Sequence, residues 1–337
     1  MHIPDLNVSR PPAAVARGTA TWQGHLQIAR VDHWVKNVFV LPGVVAAYGL
    51  DPTVDLRNWP FRLAVALLAV GLVASSNYTI NEVLDAPYDR HHPTKHRRAV
   101  PSGRVSVPLA YVQWLVLFLL GLTLSWTISP AFTGSMVALW VMGCVYNVPP
   151  VRSKDVPYLD VLTEAINNPI RLAAGWYILA PVSSPPASLL IAYWMVGCYF
   201  MGIKRFAEYR HIGEAGRIAA YRRSLAAMSE AALITAIVFY ASVAMLFFGA
   251  FLMRYRLELV LSFPLIALVM AMYLHLGFDA HSAAQSPEKL FRAKKLMGSV
   301  FLCAAAMLIL FFVDVPIVHE AVTPRIPEAV QVPPDSP

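Results

Sequence analysis

Apolar runs about as long as a bilayer is thick, separated by short basic loops, leave this chain few folds to choose from. Set against the roughly 20 residues a helix needs to cross the hydrocarbon core, they give nine candidate spans: about 33–50, 61–84, 107–128, 131–149, 159–181, 186–206, 229–252, 257–277 and 296–316. A chain that is 57% hydrophobic and 14% charged is not a soluble domain of this length. The expected fold class is an all-α integral membrane bundle of nine transmembrane helices. Residues 31–318 form its single domain, between a cytoplasmic N-terminal segment (1–30) and a proline-rich tail (319–337) expected to be disordered. The first 30 residues contain no apolar stretch of signal-peptide type, which keeps the N-terminus in the cytoplasm.

Charge agrees with that orientation. With the N-terminus inside, 21 of the 27 lysines and arginines fall on the cytoplasmic side, as the positive-inside rule requires of a protein in the plasma (inner) membrane. The net charge of +7 then reflects topology and phosphate handling and implies no nucleic-acid partner. Cys144, Cys198 and Cys303 lie in apolar runs without CxxC spacing, which excludes a disulfide frame and a zinc site. There is no phosphate-binding glycine loop and no Ser-His-Asp arrangement, so any chemistry falls to polar clusters at the cytoplasmic mouths of the helices.

The most informative cluster follows the second span, in NYTINEVLDAPYDRHHPTKHRRAVPSG (77–103). Asn81, Glu82, Asp85 and Asp89 arrive where hydrocarbon gives way to water, in a chain with only 20 acids. Asn81 and Asp85 share a helical face, and Pro87 is expected to bend or end the helix and let Asp89 swing toward them. Oxygen ligands of this kind suit Mg2+ that bridges one or two carboxylates to a substrate's phosphates. The alternative is a solvated basic loop, which explains Arg97 and Arg98 but not the acids.

Cations and amides recur at the same side. Lys36 and Asn37 interrupt the first span, Lys95 and Arg98 follow the acids, and Arg152 and Lys154 sit in the loop after the fourth. In the fifth span Asp160, Glu164, Asn167, Asn168 and Arg171 recur at spacings of three and four and draw a polar stripe along one face. A mid-span arginine is costly unless it is paired or faces an aqueous cavity, although such a stripe also serves as interhelical glue. The sixth span ends on Lys204, Arg205 and Glu208, a half-site or a surface ion pair. The third and fourth spans look featureless and are expected only to pack.

The row Asn81, Asp85, Asp89 at the end of the second of nine spans resembles the first acidic motif of the UbiA superfamily of membrane prenyltransferases. WVKN (34–37), HPTK with Arg98 and Ser102-Gly103, Lys154, Asp160 through Arg171, KRFAE (204–208) and YRRSL (221–225) resemble its decaprenyl-phosphate phosphoribosyltransferase branch. That resemblance implies a Mg2+-dependent enzyme passing 5-phosphoribose from phosphoribosyl pyrophosphate (PRPP) to a polyprenyl phosphate lipid, a step toward arabinofuranose donors. It implies a cavity open to the cytoplasm and sideways to lipid. It assigns Asn81, Asp85 and Asp89 to the metal, and these with Glu208 to catalysis. Lys36, Lys95, Arg98, Arg152, Lys154, Arg171, Lys204 and Arg205 would bind phosphates, and Asn37, Glu82, Asp160, Glu164, Asn167, Asn168 and Tyr221 would line the cavity. A homo-oligomer is compatible with it. Three positions depart from the family pattern: Glu82 stands for an Asp, KRFAE replaces an Asp-rich second motif, and Lys294-Lys295 stand where an Asp is expected. Transfer of a prenyl group from a prenyl diphosphate to a small acceptor, and a transporter, are the competing readings.

Overall fold

The computed structural model describes residues 19–90, 95–212, 223–279 and 293–322, and every regular element among them is helical. In order these are α1 (Trp22–Ala29), a 3₁₀ segment (Val31–Val40), α2 (Leu41–Leu50), α3 (Trp59–Asp89), α4 (Val107–Trp126), α5 (Pro130–Asn147), α6 (Leu159–Ala165), α7 (Asn167–Leu179), α8 (Ala187–Ile212), α9 (Arg223–Ala226), α10 (Glu230–Tyr255), α11 (Phe263–Gly277), α12 (Lys294–Phe312) and α13 (Pro316–Val322). Short 3₁₀ turns at Lys95–Arg97, Ser153–Asp155 and Leu257–Ser262 complete them. Among the described residues six helices are long and apolar enough to cross a membrane: α3, α4, α8, α10, Leu257–Gly277 and α12. The chain is therefore a multi-pass membrane protein.

The other three expected spans are helical but differ from simple rods. α5 is a short helix entered through Pro130 and capped by the Ser129 hydroxyl, which accepts from the Phe132 N–H. The fifth span is two helices, because Pro169 has no N–H to give the Ala165 carbonyl and the ladder breaks between α6 and α7. The first begins as ten residues of 3₁₀ helix, unusually long for that form. With three residues per turn, Val35 and Val38 face outward while Asn37 and Val40 face the interior. Pro87 does not end its helix as expected: α3 runs through it to Asp89.

Two apolar cores organise the bundle. One gathers α2, α3, α5 and α7 around Val70, Val73, Met136 and Trp176, and the other gathers α8, α10, α11 and α12 around Ile203, Phe206, Ile237 and Tyr240. The α2–α7 seam is close because Gly43 lies against the Leu172 carbonyl and Gly175 against the Val40 carbonyl, where a Cβ would collide with backbone. These two helices run in the same direction, since Asp51 after α2 meets Ser183 after α7. That register packs the 3₁₀ segment, which carries Asn37 one turn before Val40, against α7.

Ahead of the first span, α1 docks through the Thr21 N–H on the Arg104 carbonyl (3.0 Å), with Trp22 and Leu26 outward. At the opposite end of the bundle, Asp51 accepts from the Thr53 N–H (2.7 Å), the Thr53 hydroxyl (2.6 Å) and the Ser183 hydroxyl, which in turn accepts from Trp176 Nε1 (3.0 Å). Burial pushes the Asp51 carboxyl up, but the Ser183 and Thr53 hydrogen bonds outweigh it and hold the group below its ordinary value. A depressed carboxylate stabilises the fold above its unfolded pKa, near 3.9, and that contribution is lost as pH falls through the folded value. Asp51→Ala should therefore cost about 1–3 kcal/mol at pH 7 and much less below about pH 3, as read from denaturation midpoints at the two pH values.

Candidate active site

Because α3 stays helical through Pro87, Asn81, Asp85 and Asp89 remain on one face at intervals of four. Asn81 Nδ2 donates to Asn147 Oδ1 at 2.5 Å, and Lys154 Nζ donates to the same oxygen at 2.9 Å and to Asp85 Oδ1 at 2.5 Å. Arg152 adds Nη2 to Asp85 Oδ1 (2.9 Å), Nε to Asp155 (3.0 Å) and its guanidinium over the Tyr88 ring (5.1 Å). Arg152 reaches this position with φ at 29°, a left-handed backbone that costs a non-glycine residue about 1–3 kcal/mol. Asp89 Oδ2 accepts from Arg98 Nη1 at 2.8 Å, and Lys95 is close enough to Asp89 to act on its charge.

These residues fit a divalent ion by their donor chemistry. Asn81 Oδ1, Asp85 Oδ2 and Asp89 Oδ1 have no hydrogen-bond partner among the described residues, so one hard oxygen per residue is left on the shared face. Among the described residues no three acidic, histidine or cysteine side chains form a metal group on their own. Two carboxylates and an amide therefore need a substrate's phosphate oxygens to complete a shell, which is how Mg2+ is usually held. Glu82 does not join this row: its Oε1 accepts the Val100 N–H at 3.2 Å and serves the loop that follows α3.

A second cluster lies alongside. Arg205 is 2% exposed and donates Nε to Asp160 (2.9 Å), Nη1 to Glu208 (3.1 Å) and Nη2 to Glu164 (2.9 Å). Ser224 donates to Asp160 (3.0 Å) and the Tyr146 hydroxyl to Glu164 (2.9 Å). Arg205, expected to grip a phosphate, is thus enclosed by three carboxylates, and Glu208, expected in catalysis, belongs to that enclosure. Lys204, one residue away, makes no ion pair or hydrogen bond among the described residues and lies within electrostatic reach of Glu208, Glu164 and Lys36. The Tyr146 ring, 5.8 Å from Lys154 Nζ, joins the two clusters, so Asp85 and Glu208 stand at the same end of the bundle.

Above the break, Asn167 Nδ2 donates to the Glu164 carbonyl (3.0 Å), and Arg171 Nη1 reaches only the Asn167 carbonyl (3.3 Å). Asn168 turns instead toward Gly197 of α8 and packs there, away from the position expected of a cavity residue. Tyr221, together with His92–Thr94 of the HPTK segment, lies outside the described residues. The supposedly featureless fourth span supplies Tyr146 and Asn147, whose only signal was two polar residues ending an apolar run just before Pro149-Pro150.

A family model described as "UbiA prenyltransferase family" matches residues 37–301. Decaprenyl-phosphate phosphoribosyltransferase of Mycobacterium tuberculosis is 32% identical over 219 residues, covering 65% of this chain and 68% of that protein. The protein of the same name from Corynebacterium glutamicum is 29% identical over 212 residues, covering 61% and 59%. A UbiA homologue from Archaeoglobus fulgidus, solved with GPP and Mg2+, superposes with a TM-score of 0.65 at 20% identity, covering 86% of this chain and 100% of that one. At that identity the likeness concerns the fold.

Proposed function

The chain belongs to the UbiA prenyltransferase family and is a membrane transferase, and from that premise we propose that it passes 5-phosphoribose from PRPP to a polyprenyl phosphate. The product is polyprenyl-phosphoryl-5-phosphoribose. The catalytic domain is 31–318, crossing the plasma membrane nine times with the site toward the cytoplasm. The observation that carries the reading is the balance of charge in the second cluster. Its three carboxylates are consumed by Arg205, while Lys204 and Arg171 have no acidic partner among the described residues. A prenyl diphosphate brings one phosphate-rich group, whereas this reaction gathers a pyrophosphate, a 5-phosphate and a lipid phosphate, and needs the extra cations. The names of the curated relatives support the same donor and acceptor.

Asn81, Asp85 and Asp89 would hold the divalent ion through their outward oxygens, and the ion supplies positive charge to the departing pyrophosphate. Lys154 and Arg152, now on Asp85, stand where they also reach a phosphate oxygen. The acceptor phosphate is already an anion; its oxygen forms the bond to the anomeric carbon as the carbon–oxygen bond to pyrophosphate breaks, and no general base is required. Catalysis is then positioning and electrostatic stabilisation. Glu208 and Glu164 fix Arg205 and so fix the wall beside Lys204.

Incubating membranes with radiolabelled PRPP and a polyprenyl phosphate tests the reading: a labelled, magnesium-dependent lipid is expected. Turnover of a prenyl diphosphate with no labelled lipid would refute it. Lys204→Ala should lower kcat/KM about ten- to a hundredfold, the loss of one charge-assisted contact of about 1.5–3 kcal/mol, with the melting temperature unchanged.

A further inference from the structure

Arg171 is the anomaly of the bundle. It is 8% exposed, no carboxylate among the described residues pairs with it, and its Nε is buried without a hydrogen-bond partner among them. A buried guanidinium in that condition is costly and calls for an anion. Two more buried atoms nearby are also unpartnered, the carboxamide oxygens Asn37 Oδ1 and Asn167 Oδ1. The orientation of Asn167 is fixed, because its Nδ2 is committed to the Glu164 carbonyl, so the group it lacks is a hydrogen-bond donor. Tyr78 of α3 and Tyr193 of α8 are close enough to Arg171 to interact with its charge.

The unmet needs are mixed: an acceptor for Arg171 and donors for two amides. An isoprenoid phosphate offers phosphate oxygens and hydrocarbon, and would leave both amides unsatisfied. Pyrophosphate has no carbon hydroxyls. A pentose phosphate carries both an anion and ring hydroxyls. We propose that Arg171, Asn167 and Asn37 form the specificity pocket for the ribosyl 5-phosphate half of the donor, with Arg171 on the 5-phosphate and the two carboxamide oxygens accepting from ring hydroxyls. This rests on the phosphoribosyl reading above. Glu164, tied to Tyr146 and so to Lys154, leads from this pocket to the acids of α3, where the pyrophosphate end belongs. Recognition of the ribose thus falls to the first and fifth spans.

The test uses the purified full chain in detergent and compares binding of ribose 5-phosphate with 2,3-dideoxyribose 5-phosphate, alongside magnesium pyrophosphate as a reference. Wild type should prefer the hydroxylated sugar at least about tenfold, since a site built to hydrogen-bond hydroxyls rejects the analogue lacking them. Asn167→Leu should bring that ratio close to one while leaving magnesium pyrophosphate binding as in wild type; Asn37→Leu, on a different helix, should do the same and serves if the first variant does not fold. Arg171→Lys should weaken both sugars equally and keep their ratio. An unchanged ratio in both asparagine variants would overturn the pocket assignment alone, as would loss of farnesyl phosphate binding in its place. Should wild type bind geranyl diphosphate but neither PRPP nor ribose 5-phosphate, the donor assignment itself fails and takes the pocket with it.

Discussion

Replacing Asp85 by alanine should lower kcat/KM at least about a thousandfold, roughly 4 kcal/mol of transition-state stabilisation, and leave a folded protein. Asp85 has two oxygens to use: Oδ1 holds Lys154 and Arg152, and Oδ2, without a hydrogen-bond partner among the described residues, is the one the proposed metal ion would take. On the proposed function its loss would remove a metal ligand and also release Lys154 and Arg152, the two cations beside the proposed pyrophosphate position. The fold should survive because the side chain is 21% exposed and both cations keep other bonds, Lys154 to Asn147 and Arg152 to Asp155. Asp85→Asn keeps the size of the side chain but removes the negative charge on which both the proposed metal ion and Lys154 depend. Magnesium should raise the melting temperature of wild type in the presence of pyrophosphate and have no such effect in either variant. Near-normal turnover of Asp85→Ala at saturating magnesium, together with an inactive Glu208→Ala, would move the metal to the second cluster.

Arg205→Met should be the most damaging substitution to stability. Removing one partner of a buried ion pair costs about 3–5 kcal/mol, and here one side chain is the partner of three carboxylates, two of them under a tenth exposed. Asp160, Glu164 and Glu208 would be left facing one another in the bundle. Arg205→Lys should recover only part of the loss, because an ammonium on a flexible stem does not span three acids set around a planar fork. Denaturation in detergent, or recovery of folded protein after solubilisation, measures it. The neighbouring Lys204→Ala, which loses activity and not stability, is the control that separates the roles of two adjacent cations.

How much of this was legible in the sequence depended on how far apart the partners lie in the chain. The apolar runs are local, and each of the nine coincides with helical residues. The row of Asn81, Asp85 and Asp89 is also local, and its shared face follows from helical period alone. What local pattern left open was the effect of proline in context: Pro87 was expected to bend or end α3, and the helix carries on through it to Asp89, whereas Pro169 does break its own span. Pairing across the bundle was out of reach. Which charges Arg205 would meet depends on how α6 approaches α8, a separation of more than 40 residues, and nothing in KRFAE says that its arginine turns inward while its lysine stays unpaired. Asn147 and Tyr146 were passed over for the same reason, since an apolar run with two polar residues at its end looks the same whether those residues meet lipid headgroups or Lys154.

The ten residues Val31–Val40 have a mechanical consequence. A 3₁₀ helix rises about 2.0 Å per residue and turns 120°, against about 1.5 Å and 100° in an α-helix, so rewinding this stretch would shorten it by about 5 Å and rotate one end by about 200° against the other. Neither end is free to follow. The outer end is tied through α1 to the Arg104 carbonyl, and the inner end is pressed by Gly43 onto the Leu172 carbonyl. The segment is held at both ends, and the bearing of Lys36 and Asn37 is set by those ties: loosening the Thr21–Arg104 tie, more than 10 residues from Asn37, would free the coil to rewind and would swing both side chains out of line with α7.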